Sequence, residues 1–140
     1  MAQADSILLF LFLSLLMVSG EGNKVVASVP PLGWDSWLSL GCDFDEGIIR
    51  TTLDQIAQFL RPAGFEYVIL SDCVFPRGGR DRQTGILIPD PKRFPSGIAA
   101  LSNYARIHGL RLGIGTDAGE RTCAGFEGSL GHERLDAETF

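Results

Sequence analysis

The mature part of the chain alternates between short β-favouring apolar runs and longer segments whose apolar residues recur at helical spacing. The predicted strands and helices are, in chain order, residues 32–37, 43–62, 67–70, 97–108, 110–115 and a last helix from about residue 132. Strands that alternate with helices are parallel and are joined by right-handed crossovers. The order therefore predicts an α/β fold, either an open doubly wound sheet or the first three βα units of a (β/α)8 TIM barrel. No glycine-rich dinucleotide motif follows the first strand, so a dinucleotide-binding fold has no direct support.

A polar or aromatic side chain lies at or just after the carboxyl end of each predicted strand. In a (β/α)8 barrel the functional residues lie at the carboxyl ends of the strands. The candidates at these ends are Trp37, Asp72 and Asp117. Each has a structural alternative: Trp37 as a core residue, Asp72 as a turn cap, and Asp117 as a structural hydrogen-bonding group at the barrel mouth. By pattern alone, the two aspartates would also qualify as a pair of catalytic carboxylates.

Composition excludes several classes of function. Of the 140 residues, 45% are hydrophobic and 21% are charged, as in an ordinary globular domain. The formal charge is −5 with both signs interspersed, and the basic patch that a nucleic-acid-binding surface needs is missing. His132 has no thiol or carboxylate at metal-ligand spacing, so we expect no metal and no cofactor. We expect Arg77, Arg80 and Arg82 to form a small solvated loop.

The N-terminus predicts export. Residues 7–18 form an apolar run that is shorter than the about 20 residues a bilayer span requires. Small residues follow at Ser19, Gly20 and Gly22, as in a secretory signal peptide, although Asp5 and the lack of a preceding Lys or Arg fit less well. We therefore expect a cleaved signal peptide over residues 1–22 and the remaining domain over residues 23–140. An uncleaved anchor or a buried helix is the alternative.

The cysteine count is odd. A secretory-pathway protein, whether extracellular, in the cell wall, vacuolar or lysosomal, folds under oxidising conditions in which thiols pair. The chain has three cysteines, Cys42, Cys73 and Cys123. An odd number in an exported chain leaves one thiol without a partner inside the chain.

Several ordered motifs together resemble one family. These are PPLGWDSW, LSDC, FPSGIAALSNYARIHGLRLGI, TDAG and TCAGFEGSLGHERLDAETF, spread over residues 30–140. They look like the N-terminal part of the α-galactosidases of the melibiase type, which are retaining glycoside hydrolases. The resemblance implies a (β/α)8 catalytic barrel followed by a β-sandwich domain in the complete protein. It also implies hydrolysis of terminal α-D-galactosyl residues from oligosaccharides, galactomannans or glycolipids. α-N-acetylgalactosaminidases and β-arabinopyranosidases share many of these motifs, so the exact sugar stays open.

The resemblance assigns roles to individual residues. Trp37 matches the tryptophan that packs against the galactose ring, and Asp72 matches an aspartate that accepts hydrogen bonds from sugar hydroxyls. Asp117 is carried with them as a candidate substrate-binding residue. Cys42 and Cys73 match a disulfide-bonded pair. The cysteine that pairs with the equivalent of Cys123 in the family lies beyond the end of this chain, as would be expected of the N-terminal part of a longer protein.

The resemblance also implies what the chain lacks. The family's nucleophilic aspartate follows the fourth barrel strand and its acid/base aspartate follows the sixth, so no catalytic residue is expected here. Ser71, Val74 and Gly115 stand where the family has aspartate, tryptophan and tyrosine. A non-catalytic pseudoenzyme or weak glycan binder is therefore the alternative function. A third possibility is that three βα units with unpaired strand edges do not fold alone. The sequence leaves the oligomeric state open.

Overall fold

A computed structural model describes residues 29–140, and the predicted signal peptide over residues 1–22 lies outside them. The elements are β1 (Leu32–Asp35), α1 (Ser36–Leu40), α2 (Glu46–Gln55), β2 (Phe65–Leu70), α3 (Ile98–Ile107), β3 (Arg111–Ile114) and α4 (Glu133–Thr139). Helix α2 continues through a π-helical turn at Ile56–Leu60 and a 3-10 turn at Arg61–Ala63. Within residues 29–140, no helix is both long enough and apolar enough to cross a membrane.

The three strands form one parallel sheet in the order β1-β2-β3. Asp35, the last residue of β1, pairs with Ile69, and Leu70, the last residue of β2, pairs with Ile114 at the end of β3. The carboxyl ends of all three strands therefore lie level at one edge of the sheet. This arrangement confirms the predicted βα order and is that of a partial barrel. Within the described residues, β1 and β3 each have one edge without a strand partner.

The core lies between the sheet and helices α2 and α3. Both helices place residues one helical turn apart against the sheet, where they are fully buried: Ile49 and Leu53 from α2, and Leu101 and Ala105 from α3. Residues three or four apart share one face of a helix, which is why the periodicity of the sequence predicted these contacts. The buried strand and loop residues that complete this core are Val68, Leu70, Val74, Phe94 and Leu110.

The boundaries of several elements differ from the predictions by up to three residues. The first strand ends at Asp35 rather than at Trp37, because the Asp35 carboxylate accepts the amide hydrogens of Trp37 and Leu38 and caps helix α1. Helix α3 is not capped by Ser96, although serine is a common cap residue, since Gly97 occupies the cap position without a side-chain hydrogen bond. Ser96 instead donates its backbone N–H to Glu46 Oε2 at 2.9 Å, and this bond ties the start of α3 to the start of α2.

Two substitutions in α3 test the core. Leu101 has no exposed surface, whereas Ile107 on the same helix is 79% exposed. We expect Leu101→Ala to lower the free energy of unfolding by about 2–5 kcal/mol, because it removes buried methyl groups and leaves a cavity. Ile107→Ala should change it by less than about 0.5 kcal/mol. Urea unfolding followed by circular dichroism measures both, and equal losses in the two variants would contradict this packing.

Candidate functional site

A cleft of about 390 Å³ opens at the edge of the sheet where the three strands end. Its walls come from the segments that follow β1, β2 and β3. The lining residues are Asp35, Trp37, Leu38, Ser71, Asp72, Gly115, Thr116, Asp117, Thr122 and Cys123. The three residues selected from the sequence, Trp37, Asp72 and Asp117, thus lie together in one cleft.

Trp37 is accessible from the cleft. It lies on α1, the short helix that Asp35 caps, and is 37% exposed. The other tryptophan, Trp34, packs against the hydrophobic core from within β1. Trp37 is therefore a surface indole beside polar groups, an arrangement that suits the apolar face of a ring-shaped ligand.

A sharp turn at the end of β2 positions Asp72. Asp72 and Cys73 both have positive φ angles, 36° and 57°, a conformation that non-glycine residues adopt rarely and mostly where surrounding structure enforces it. The following side chain is held in place, since Cys73 is buried and disulfide-bonded to Cys42, with 5.5 Å between the Cα atoms. The turn thus places the disulfide-bonded sulfur of Cys73 in the core while Asp72 lines the cleft.

The two carboxylate oxygens of Asp72 have different surroundings. Oδ2 accepts a long hydrogen bond of 3.4 Å from the backbone N–H of Ala124. Oδ1 is buried and has no hydrogen-bond partner among the described residues. A buried polar atom without a partner is costly, so it marks a position where a ligand hydroxyl group would be stabilised.

Asp117 has a structural role as well as a place in the cleft. Its Oδ1 accepts the backbone N–H of Gly119 at 2.6 Å, and its carbonyl oxygen accepts the N–H of Ser129 at 2.8 Å. These bonds order the start of the loop after β3. Asp117 therefore has the structural hydrogen-bonding role that was one of its two predicted roles. It also lines the cleft, as a substrate-binding residue must.

Asp35 is a cleft residue that the sequence pattern did not indicate. Besides capping α1, Asp35 accepts a 2.6 Å hydrogen bond at Oδ2 from the hydroxyl group of Ser71. Gly115 lies against the same hydroxyl, because a Cβ atom at this position would lie 2.5 Å from Ser71 Oγ. Asp35 lies inside the segment 32–37 that the sequence predicted as a strand, so no local signal indicated its cap role, and its bond to Ser71 joins the end of β1 to the residue that follows β2.

The electrostatics of the cleft favour a ligand rich in hydrogen-bond donors. Its lining includes three carboxylates, from Asp35, Asp72 and Asp117, and neither lysine nor arginine. Ionised carboxylates only accept hydrogen bonds. Hydroxyl groups of a sugar would supply the donors, and the indole of Trp37 would cover an apolar ring face. In the part of the chain that the structure describes, no three His, Cys, Asp or Glu side chains are grouped as metal ligands.

Comparison with known proteins decides the family. The family model described as alpha galactosidase A matches residues 29–140. This chain belongs to the α-galactosidase (melibiase) family. The probable α-galactosidase B of Aspergillus clavatus is 45% identical over 116 residues, which cover 82% of this chain and 26% of that protein. The α-galactosidase A of Cellvibrio japonicus is 42% identical over 126 residues, covering 89% of this chain and 30% of that protein.

Solved structures agree with this assignment. The α-galactosidase of Saccharomyces cerevisiae is 38% identical with a TM-score of 0.73, over 79% of this chain and 24% of that chain, and one of its structures contains raffinose. The α-galactosidase I of Mortierella vinacea is 37% identical with a TM-score of 0.77, over 84% of this chain and 29% of that chain. The fold expected from the sequence, part of a TIM barrel, is thereby confirmed. The chain spans 24–30% of the length of these relatives.

A buried ion pair supports the loop that carries one wall of the cleft. Arg80 donates two short hydrogen bonds, of 2.7 and 2.6 Å, to the carboxylate of Asp136 on α4, and it also donates to the carbonyl oxygen of Gly128. The Arg80 guanidinium holds the pKa of Asp136 below its ordinary value, and the same pair raises the pKa of Arg80. The expectation of a solvated loop is therefore wrong for Arg80, because a carboxylate distant in sequence pairs with it.

We expect Asp136→Asn to lower the free energy of unfolding by about 3 kcal/mol at pH 7, since it leaves the Arg80 guanidinium without its counter-charge. The lowered folded-state pKa means that this stabilisation is fully present above the unfolded-state pKa of about 3.9. It is lost as the pH falls through the folded-state value, so the difference between wild type and variant should shrink in acid. Urea unfolding at a series of pH values measures this.

Glu138→Gln on the same helix is the matched control. Glu138 pairs with Arg134 at 2.8 Å, but Arg134 is almost fully exposed. The control should therefore change stability by less than about 0.5 kcal/mol. A pH-independent difference for Asp136→Asn would contradict the charge pair.

Proposed function

We propose that the described residues form the galactose-binding part of a retaining α-galactosidase that acts on terminal α-D-galactosyl residues. One observation carries the proposal: Trp37, Asp72 and Asp117 line a single cleft in which Asp72 Oδ1 is buried and without a partner among the described residues. An unpaired acceptor beside an accessible indole fits a ligand with one apolar face and several hydroxyl donors. Membership of the α-galactosidase family supports an α-galactoside as that ligand.

The comparisons support an α-galactoside more closely than a general sugar. A related structure, the α-galactosidase of Saccharomyces cerevisiae, contains raffinose. A more distant likeness, at 30% identity and a TM-score of 0.56, is to a β-L-arabinopyranosidase of Geobacillus stearothermophilus. The higher identity and TM-score of the α-galactosidases favour galactose as the sugar that this cleft accepts, over arabinopyranose or N-acetylgalactosamine.

The residues described here would bind and orient the sugar, and the bond-breaking groups would come from elsewhere in the barrel. In a retaining glycosidase one carboxylate attacks the anomeric carbon, while a second protonates the leaving oxygen and then activates water. The resemblance places these two aspartates after the fourth and sixth strands, and none of the described residues is assigned to either role. Asp72 and Asp117 are thus proposed as binding groups and not as the catalytic pair.

A non-catalytic glycan-binding role is the second candidate, and the Ser71–Gly115 corner of the cleft favours it. The Ser71 hydroxyl is engaged by Asp35 and fills the space in which a side chain at position 115 would lie. A sugar hydroxyl that the family would pair with a carboxylate at position 71 therefore meets a serine oxygen. We expect weaker recognition there, by about 1–3 kcal/mol.

We also propose that the protein passes through the secretory pathway. The signal peptide predicted over residues 1–22 motivates this proposal, and the disulfide between Cys42 and Cys73 supports it, because such bonds persist in oxidising compartments. Expression with a C-terminal tag tests it: N-terminal sequencing of secreted protein should show cleavage after Gly20 or Gly22. A product that retains Met1 in the cytoplasm would contradict the proposal.

Sugar binding is testable by NMR titration of the full chain with methyl α-D-galactoside. We expect shift changes confined to amides around Trp37, Asp72 and Asp117, and weaker binding of the glucose epimer. Asp72→Asn should weaken the binding at least about tenfold, because an amide replaces a charged acceptor at the buried Oδ1 position. Asp43→Asn removes an exposed carboxylate outside the cleft and should bind like wild type. Equal binding of both epimers, or no shift change at all, would refute the proposed site.

Hydrolysis separates binding from catalysis. We expect the purified 140-residue chain to release no nitrophenol from nitrophenyl α-D-galactoside, since neither catalytic aspartate of the family is assigned within it. Spectrophotometry at 400 nm, against a complete family member as positive control, measures this over hours. If the chain hydrolyses nitrophenyl α-D-galactoside and Asp72→Asn or Asp117→Asn abolishes this activity, these aspartates are catalytic groups after all.

A further inference from the structure

The 122–126 segment after β3 forms one wall of the cleft, and its own hydrogen bonds close it into a tight turn. The backbone N–H of Gly125 donates to the carbonyl of Thr122, and the N–H of Thr122 donates to the carbonyl of Phe126, both at 2.9 Å. Gly125 has a φ of 80°, which a glycine adopts without strain. The turn carries Thr122 and Cys123 into the cleft. Its internal bonds fix its shape but not its distance from Asp72, which follows the end of β2.

Arg77 connects this turn to the segment that follows β2. Its guanidinium donates to the carbonyl oxygens of Ala124, at 2.8 Å, and Gly125, at 3.1 Å. It also lies over the ring of Phe126, 4.9 Å from the centroid. Three successive residues of the turn are thus held by one side chain. Arg77 is exposed, as expected for a solvated loop, but its guanidinium is also bound to this turn.

The other bond between the two segments is weaker. Asp72 Oδ2 accepts the N–H of Ala124 at 3.4 Å, beyond the usual 2.7–3.2 Å for such a bond. Arg77 makes shorter, charge-assisted hydrogen bonds and adds a cation–π contact. The Arg77 contacts therefore contribute more than the Asp72 bond to holding the turn against the end of β2.

We propose that Arg77 is a positioning residue for the sugar cleft: by docking the 122–126 turn onto the end of β2, it sets the separation of Asp72 from the Thr122–Cys123 wall. It also holds the Ala124 N–H at Asp72 Oδ2, which fixes the carboxylate so that Oδ1 remains the oxygen without a hydrogen-bond partner among the described residues. Arg77 itself does not line the cleft. This inference rests on the proposed function, since it concerns the same cleft.

Arg77→Met tests the docking in the full chain without any ligand. It keeps an apolar side chain of similar length and removes the guanidinium. Solvent-exchange NMR should show the Ala124 amide exchanging about tenfold faster than in wild type, because the turn moves away from Asp72. The Gly125 amide should change by less than about twofold, because its acceptor lies inside the turn. An equal increase in the exchange rates of both amides, or no increase in the exchange rate of the Ala124 amide, would overturn the inference.

Titration with methyl α-D-galactoside tests the consequence for the cleft. We expect Arg77→Met to raise Kd by about three- to tenfold. Arg77→Lys should raise it less, because the ammonium group keeps the positive charge, although it cannot donate to two acceptors with the planar geometry of a guanidinium. Arg82→Met is the matched control: Arg82 lies in the same loop, is exposed, and makes no side-chain hydrogen bond within residues 29–140. A Kd for Arg77→Met equal to that of the control would overturn the positioning role.

The two experiments separate this inference from the proposed function. If wild type shows no galactoside binding while Ala124 alone exchanges faster in Arg77→Met, the proposed function fails and the docking by Arg77 stands. If wild type binds galactoside and Arg77→Met changes neither exchange nor Kd, the proposed function stands and the inference fails.

Discussion

The parallel pairing of the three strands is the constraint on which the rest of this structure depends. Asp35 pairs with Ile69, and Leu70 pairs with Ile114, so all three strands end at the same level of the sheet. Each following segment therefore starts at the same edge, which is why groups from distant parts of the chain share one cleft. A shift of one residue in either pairing would turn the strand-end side chains to the other face of the sheet.

Arginines hold the polar segments above that edge. Arg77, Arg80 and Arg93 each donate hydrogen bonds to backbone carbonyl groups about fifty residues away in sequence. Buried residues such as Val74 and Phe94 anchor these loops in the core, and the arginines add polar contacts where the chain between such anchors is exposed or half-buried. A guanidinium group can satisfy two acceptors at once in fixed geometry, and this property makes it suited to fastening one loop to another. The cleft therefore depends on polar contacts at its rim as well as on the apolar core below it.

The Ser71 corner shows how the departures from the family pattern depend on one another. The Ser71 hydroxyl donates a hydrogen bond to the Asp35 carboxylate. Because Gly115 has no side chain, the Ser71 hydroxyl has space beside it. A tyrosine at position 115 would collide with this arrangement, so the small residues at positions 71 and 115 form a consistent pair. They give the cleft a different set of acceptors from the one the family motif implies, while Trp37 and Asp72 keep their places.

Periodicity and local propensity suffice to predict the strand–helix alternation, the helix faces around Leu53 and Leu101, and the strand ends near Trp37, Asp72 and Asp117. Three other contacts follow from how the chain packs: Asp35 accepts a hydrogen bond from Ser71, Arg80 pairs with Asp136, and Arg77 holds the 122–126 turn. Each of these contacts joins residues at least 36 positions apart. No local pattern encodes such a partner, because the distance between the two groups is set by how the sheet and loops pack together.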